Sequence, residues 1–411
     1  MSDVAPVQEQ RRIKSLDAMR GLALLGILAV NAAFFAAPWQ AAIDPMAPPL
    51  TVTQDSVWSW FAMHVFFEQK MITLFSILFG ASLFMVGGER SDKERGAVLR
   101  RRLFWLLIIG LMHALLIWYG DILVTYAVTG FLVLFARSWK PRTLLIVGIV
   151  LYLLALLLQS FLGIFFGILP SDKVGVVEQE IAGVFALPPE ELERVTAAYQ
   201  SGFLSGVQEN IDTWLTFITS SIVGLVIRTA GVMMIGMALF KWGFLSGNAP
   251  KWLYGLMLLI GAGALALVGW QAWLNWEARF DLMHMLTRGM FVNTAVSIFV
   301  SIGYASLIIL LVKAGMRFLT EPLAAVGRMA FTNYLTQSLI MTTIFWGGAR
   351  GFGLWGEVDR PTLWAIVLAV WALQLIWSPL WLARFQMGPF EWIWRRLSYA
   401  KPVQMAKTAS A

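Results

Sequence analysis

His113 is one of three histidines in a chain of 411 residues, and a neutral imidazole is the side chain best suited to moving a proton near pH 7. It follows Arg102 by eleven residues, so on a helix it stands almost directly above that cation, about 16 Å along the axis. Arg100, Arg101 and Arg102 are consecutive, so a match of this spacing by one of them comes cheaply. Asp121, just after Gly120, suits two roles: orienting the imidazole or another donor, and capping the next helix. His113 itself equally suits a purely structural hydrogen bond. A second constellation is Asp17, Arg20 and Asn31. At 100° per residue Arg20 and Asn31 differ by a net of about 20°, so one helix face projects all three. The plainer reading makes Asp17 and Arg20 an interfacial i, i+3 pair and lets Asn31 bond a neighbouring helix.

Arg228 lies amid an apolar run, beyond snorkelling range of either end, and needs a partner or a wet cavity. An ion pair and an anion site both answer that need. His64 and Glu68 stand at i, i+4 just before Lys70; they form a local polar pair, or two metal ligands lacking a visible third, and no metal is expected. Asn333 and Gln337 share one helix face near Arg328, Tyr334 and Ser338, a pattern that interhelical packing explains as well as a solute pathway does. No cysteine is present, so thiolate chemistry is excluded, and no GxxxxGK[ST], GxSxG or HExxH occurs.

The elements that must carry these groups follow from composition. Hydrophobic residues make up 59% of the chain and charged ones only 13%, with a mean hydropathy of +0.71. That excludes a water-soluble globule. Apolar runs are too long for barrel strands, so an all-α, polytopic transmembrane bundle is expected. Ten spans are read, at 21–38, 71–87, 103–118, 122–137, 143–169, 213–240, 252–275, 290–312, 331–346 and 362–383. With the N-terminus cytoplasmic, the inner segments hold 23 Lys and Arg and the outer ones 6, a bias that places both termini inside. The net charge of +7 is therefore topological, and no nucleic acid is expected as a partner.

Residues 1–411 read as a single integral membrane domain of the bacterial cytoplasmic (inner) membrane, with 170–212 as an acidic extracytoplasmic cap. The twenty polar residues before the first apolar run do not resemble a cleaved signal, so that run is expected to stay as the first helix. If 57–87 were one helix it would extend about 46 Å, longer than the bilayer core, so 57–69 is expected to lie along the outer interface or re-enter.

Several stretches together carry a family resemblance: RIKSLDAMRGLALLGILAVN from Arg12, LFSILFGAS from Leu74, HALLIWYGDILVTYAVTG from His113, VGRMAFTNYLTQS from Val326 and FQMGPFEWIWRRLSY from Phe385. In this order, over nearly the whole chain, they resemble the YeiB-like family of bacterial inner-membrane proteins. The first stretch is also distantly similar to the transmembrane acyltransferase superfamily, which includes acyltransferase-3 and heparan glucosaminide acetyltransferase-like proteins. That resemblance implies acyl transfer from cytoplasmic acyl-CoA to an acceptor across the membrane. The acyltransferase-3 pattern places His eleven residues after Arg; here Arg20 matches and the second position is Asn31, as in the glucosaminide branch.

Two functions are thus expected. In the first, Arg20 and Arg100 to Arg102 hold acyl-CoA phosphates, His113 with Asp121 deprotonates a small-molecule or cell-envelope acceptor, and Asn31 donates to the oxyanion. In the second, the chain is a transporter or flippase for an amphipathic or anionic solute, with Arg228, Asn333, Gln337, His64 and Glu68 in the pathway. The lipid bilayer is the one partner common to both.

Overall fold

A computed structural model describes residues 13–348, 351–399 and 401–407; among these, regular structure is helical apart from an isolated bridge between Phe385 and Ala406. The polar stretch 1–12, on which much of the reading of the N-terminus rests, lies outside the described residues. The all-α architecture expected from hydropathy is found: among the described residues seven helical stretches are long and apolar enough to cross a bilayer.

The chain opens with α1 (Lys14–Ala36) and a short α2 (Trp39–Ile43). α3 (Val57–Phe66) and α4 (Lys70–Gly87) make up one apolar stretch of 31 residues, broken where Gln69 takes a φ of 64°. That left-handed backbone costs a non-glycine residue about 1–2 kcal/mol. α5 (Lys93–Leu116) starts at the Asp92 cap, whose carboxylate accepts from the Arg95 amide at 3.0 Å. α6 (Leu123–Val133) runs into a 3-10 turn, Leu134–Ala136.

The expected span at 143–169 is two helices, α7 (Pro141–Gln159) and α8 (Phe161–Ile168), meeting at Ser160. The Ser160 hydroxyl donates to the Leu156 carbonyl at 2.8 Å, the kind of back-bond that bends a helix. The acidic segment folds as α9 (Ser171–Phe185), α10 (Pro189–Ser201) and the first turns of α11 (Phe203–Lys241). Pro189 opens α10 with Glu190 and Glu191 in its first turn, the arrangement that the helix dipole favours. At 39 residues α11 is about 58 Å long, so it runs well past a bilayer core.

After α12 (Lys251–Glu277) come a single turn, α13 (Leu282–His284), and then α14 (Phe291–Lys313), α15 (Arg317–Arg328), α16 (Ala330–Phe345), α17 (Arg360–Arg384) and α18 (Pro389–Tyr399). Three of the ten sequence spans fall on shorter helices: the part of α5 beyond Arg102, α6, and the 16 residues of α16.

α1 is the axis of the bundle, buried along most of its length. Small residues set how close its neighbours come. A Cβ on Gly21 would sit 2.0 Å from the Leu323 carbonyl oxygen of α15, and one on Gly327 would sit 1.8 Å from that of Asp17. Gly80 and Gly236 do the same for α4 and α11, at 2.0 Å from the Met233 oxygen and 2.1 Å from the Ile77 oxygen. Backbone-to-backbone packing of this kind suits lipid, where no hydrophobic force drives apolar helices together.

Candidate functional site

Asp121 fulfils both roles open to it. One carboxylate oxygen accepts from the Val124 amide at 2.7 Å and so caps α6; the other lies 2.8 Å from His113 Nδ1. His113 Nε2 in turn lies 2.8 Å from the Ser338 hydroxyl of α16. A carboxylate only accepts, so Nδ1 carries the hydrogen; in the neutral imidazole Nε2 then offers its lone pair, and Ser338 donates to it. Side-chain exposure is 1% for His113 and 0% for Asp121, and Ser338 is equally buried. The three groups form one hydrogen-bonded chain with the polarity of a Ser-His-Asp arrangement.

One turn before Ser338, the Tyr334 ring lies 5.2 Å from the imidazole and lines a cavity of about 260 Å³. This cavity occupies the end of the bundle where α1 begins. Among the described residues the guanidinium groups of Arg20, Arg102, Arg328 and Arg395 border it, against the carboxyls of Asp17 and Glu391. Arg20 donates to Asp17 at 2.7 Å and to the Ser82 hydroxyl at 3.0 Å. Arg102 lies 3.9 Å over the Trp394 ring, a cation–π contact that orients its fork. Glu391 accepts from the Phe331 and Thr332 amides at 2.7 and 3.0 Å, which caps α16. Burial pushes its carboxyl above the usual carboxylate range, against the pull of those hydrogen bonds.

On the other side of His113, the Trp118 ring is 6.5 Å away and stacks on Phe35 at 4.0 Å. Its neighbour Tyr119 donates to the Phe34 carbonyl at 3.1 Å and lines a second cavity, of about 190 Å³, at the opposite end of the bundle. Glu191, Glu209 and Asp212 border that one. The chain of three therefore lies between a basic and an acidic cavity, with an aromatic layer on each side.

Comparison with known proteins agrees with the family resemblance. A family described as "Protein of unknown function (DUF418)" matches residues 239–401. "Uncharacterized protein YxaH" of Bacillus subtilis is 33% identical over 99% of both chains, and "Uncharacterized protein YeiB" of Escherichia coli is 33% identical over 93% of this chain and 95% of its own. The chain belongs to the YeiB-like family. A third relative, "Uncharacterized 39.9 kDa protein in amylase 3'region" of Bacillus acidopullulyticus, is 27% identical over 98% of this chain and 99% of its own. No solved structure matches the chain significantly.

In this YeiB-like chain the other residues singled out by sequence are distributed unevenly. Arg100 and Arg101 are exposed, so of the consecutive arginines only Arg102 faces the basic cavity. Arg20, Leu24 and Ile27 line it, and helical periodicity carries that stripe up to Asn31; yet Asn31 borders neither cavity and makes no side-chain hydrogen bond among the described residues. Arg228 donates to Gln69 at 2.5 Å and to Thr73 at 3.1 Å, so it braces the break between α3 and α4. His64 and Glu68 pair at 2.5 Å as i, i+4 neighbours, joined by Asn293, whose side-chain nitrogen is 3.2 Å from the Glu68 carboxylate. Lys70 bonds the His64 carbonyl at 2.7 Å and also the Asn293 side chain. Asn333 contacts Ser378 at 3.0 Å and Trp377 at 2.7 Å, and Gln337 bonds Gln374 at 2.8 Å, which pins α16 to α17. Sequence reasoning missed Ser82, Glu391 and Trp394 as cavity residues. Among the described residues no three His, Cys, Asp or Glu converge as a metal site.

Proposed function

We propose that this YeiB-like protein is a transmembrane acyltransferase of the bacterial inner membrane, with ten crossings and both termini cytoplasmic. The charge bias of the loops supports the orientation, and it puts the basic cavity on the cytoplasmic side. Guanidinium forks suit phosphate, so Arg20 and Arg102 at the cavity receive the acyl-CoA phosphates, while the apolar wall toward Tyr334 takes the acyl arm. His113, held by Asp121, removes the proton from the attacking group. The acidic, aromatic cavity on the far side receives the acceptor, a hydroxyl or amine compound of the cell envelope.

One observation carries this reading: an imidazole bonded through Nδ1 to a buried carboxylate stands one ring from a basic cavity, with an acidic cavity at the opposite end of the bundle. The test is to incubate purified protein with acetyl-labelled acetyl-CoA and envelope extracts, comparing wild type with His113→Ala. CoA binding together with His113-dependent transfer is expected; no binding and no transfer overturns the reading.

A further inference from the structure

We infer that Ser338 carries the acyl group, so that transfer proceeds in two half-reactions through an O-acyl serine between the two cavities; this deepens, and rests on, the acyl-transfer reading above. The first support is where the hydroxyl points. A buried serine in a helix ordinarily satisfies itself by donating to the carbonyl four residues back. Ser76, Ser301 and Ser306 do so at 2.8, 2.7 and 2.8 Å. Ser338 departs from them: its distance to the Tyr334 carbonyl is 3.4 Å, whereas His113 Nε2 is at 2.8 Å. The imidazole is its better acceptor.

The second support is the fixed tautomer. Asp121 holds the Nδ1 hydrogen, so in the neutral imidazole Nε2 is the proton acceptor, and the hydroxyl of Ser338 reaches it. The third is placement. Ser338 stands one helical turn beyond Tyr334, which borders the basic cavity, and the Trp118 ring flanks its partner His113, so donor and acceptor need not be present together if the acyl group waits on the protein between the two cavities. A dry site also protects an ester from water.

The balance is simple. Ser338 Oγ attacks the thioester carbonyl carbon as its proton passes to His113 Nε2; the carbon–sulfur bond then breaks, and the CoA sulfur leaves with that proton. In the second half, an acceptor hydroxyl or amine gives its proton to Nε2 and attacks the ester. The carbon–oxygen bond breaks and Ser338 recovers its hydrogen. Nothing is oxidised or reduced.

The experiment uses the full chain in detergent with acetyl-CoA labelled in the acetyl group and no acceptor. Label that survives denaturation, maps to the Ser338 peptide and is released by alkaline but not neutral hydroxylamine is expected, with one CoA thiol freed for each acetyl retained. Ser338→Ala should lose the label and slow transfer on the order of 1,000-fold. Ser338→Cys should take the label as a thioester labile to neutral hydroxylamine, and it decides the matter if the alanine variant does not fold. Transfer by Ser338→Ala at near the wild-type rate, or CoA release only when acceptor is present, overturns the serine carrier and leaves acyl transfer standing. Wild type that neither binds CoA nor transfers removes both.

Discussion

His113 on α5 and Ser338 on α16 are 225 residues apart in sequence, and their side chains meet at 2.8 Å. The contact joins the 16-residue α16 to the apolar half of α5, which begins after its arginine cluster. Their meeting makes the imidazole part of a three-member chain, and the chemistry proposed above depends on each link.

Asp121→Asn should cut acetyl transfer by about 100- to 10,000-fold, because an amide no longer fixes the hydrogen on Nδ1. Binding of CoA, measured by thermal shift, should stay unchanged, since Asp121 does not border the basic cavity. Asp121→Ala should in addition lose the α6 cap and about 1 kcal/mol of stability.

Arg20→Ala and Arg102→Ala should each weaken CoA binding by about tenfold, the loss of one charge-assisted hydrogen-bonding group. Arg100→Ala and Arg101→Ala serve as the contrast: both residues are exposed and away from the cavity, and titration calorimetry should find affinities within about twofold of wild type.

Glu391 gives a pH signature. Its carboxyl is raised above 4.5 by burial in the folded chain. In the window from 4.5 up to its folded value the native state holds more protons than the unfolded one, so stability falls as pH rises through that window and then levels. Thermal melts at steps upward from pH 4.5 should show this slope in wild type and lose it in Glu391→Gln.

Arg228→Ala should lower stability by about 1–3 kcal/mol by stranding the Gln69 side-chain oxygen, while acetyl transfer by the folded fraction persists. A transporter or flippase would instead lose substrate flux in proteoliposomes with this variant, with CoA having no effect. Measuring both on one preparation separates the two functions.

Much of this was legible in the sequence for a definite reason. His113 and Asp121 are close along the chain, so one helix end and one turn suffice to bring them together. Arg20 and its stripe are likewise a matter of one helix's periodicity. Ser338 could be flagged as a polar residue in an apolar run, but its partner could not, because that pairing depends on how α5 and α16 cross. The same holds for Glu391, whose role comes from capping a helix some 60 positions earlier. Arg100, Arg101 and Arg102 show the converse: adjacent in sequence, they point 100° apart on a helix, and only one can face the cavity.

The Gly21 and Gly327 contact bears on how the nucleotide of the proposed acyl-CoA donor would gain admission. Main chain already touches main chain there, so α1 and α15 have no slack to part or slide without losing their fit. The opposite flank of the basic cavity is held differently, by α18 through the Arg102–Trp394 stack and the cap on α16. A stacked pair and side-chain hydrogen bonds can be exchanged for others as helices part, whereas interlocked backbones cannot. The doorway should therefore swing on the C-terminal helix, and cross-linking α18 to α5 should bar the donor while leaving the far chamber untouched.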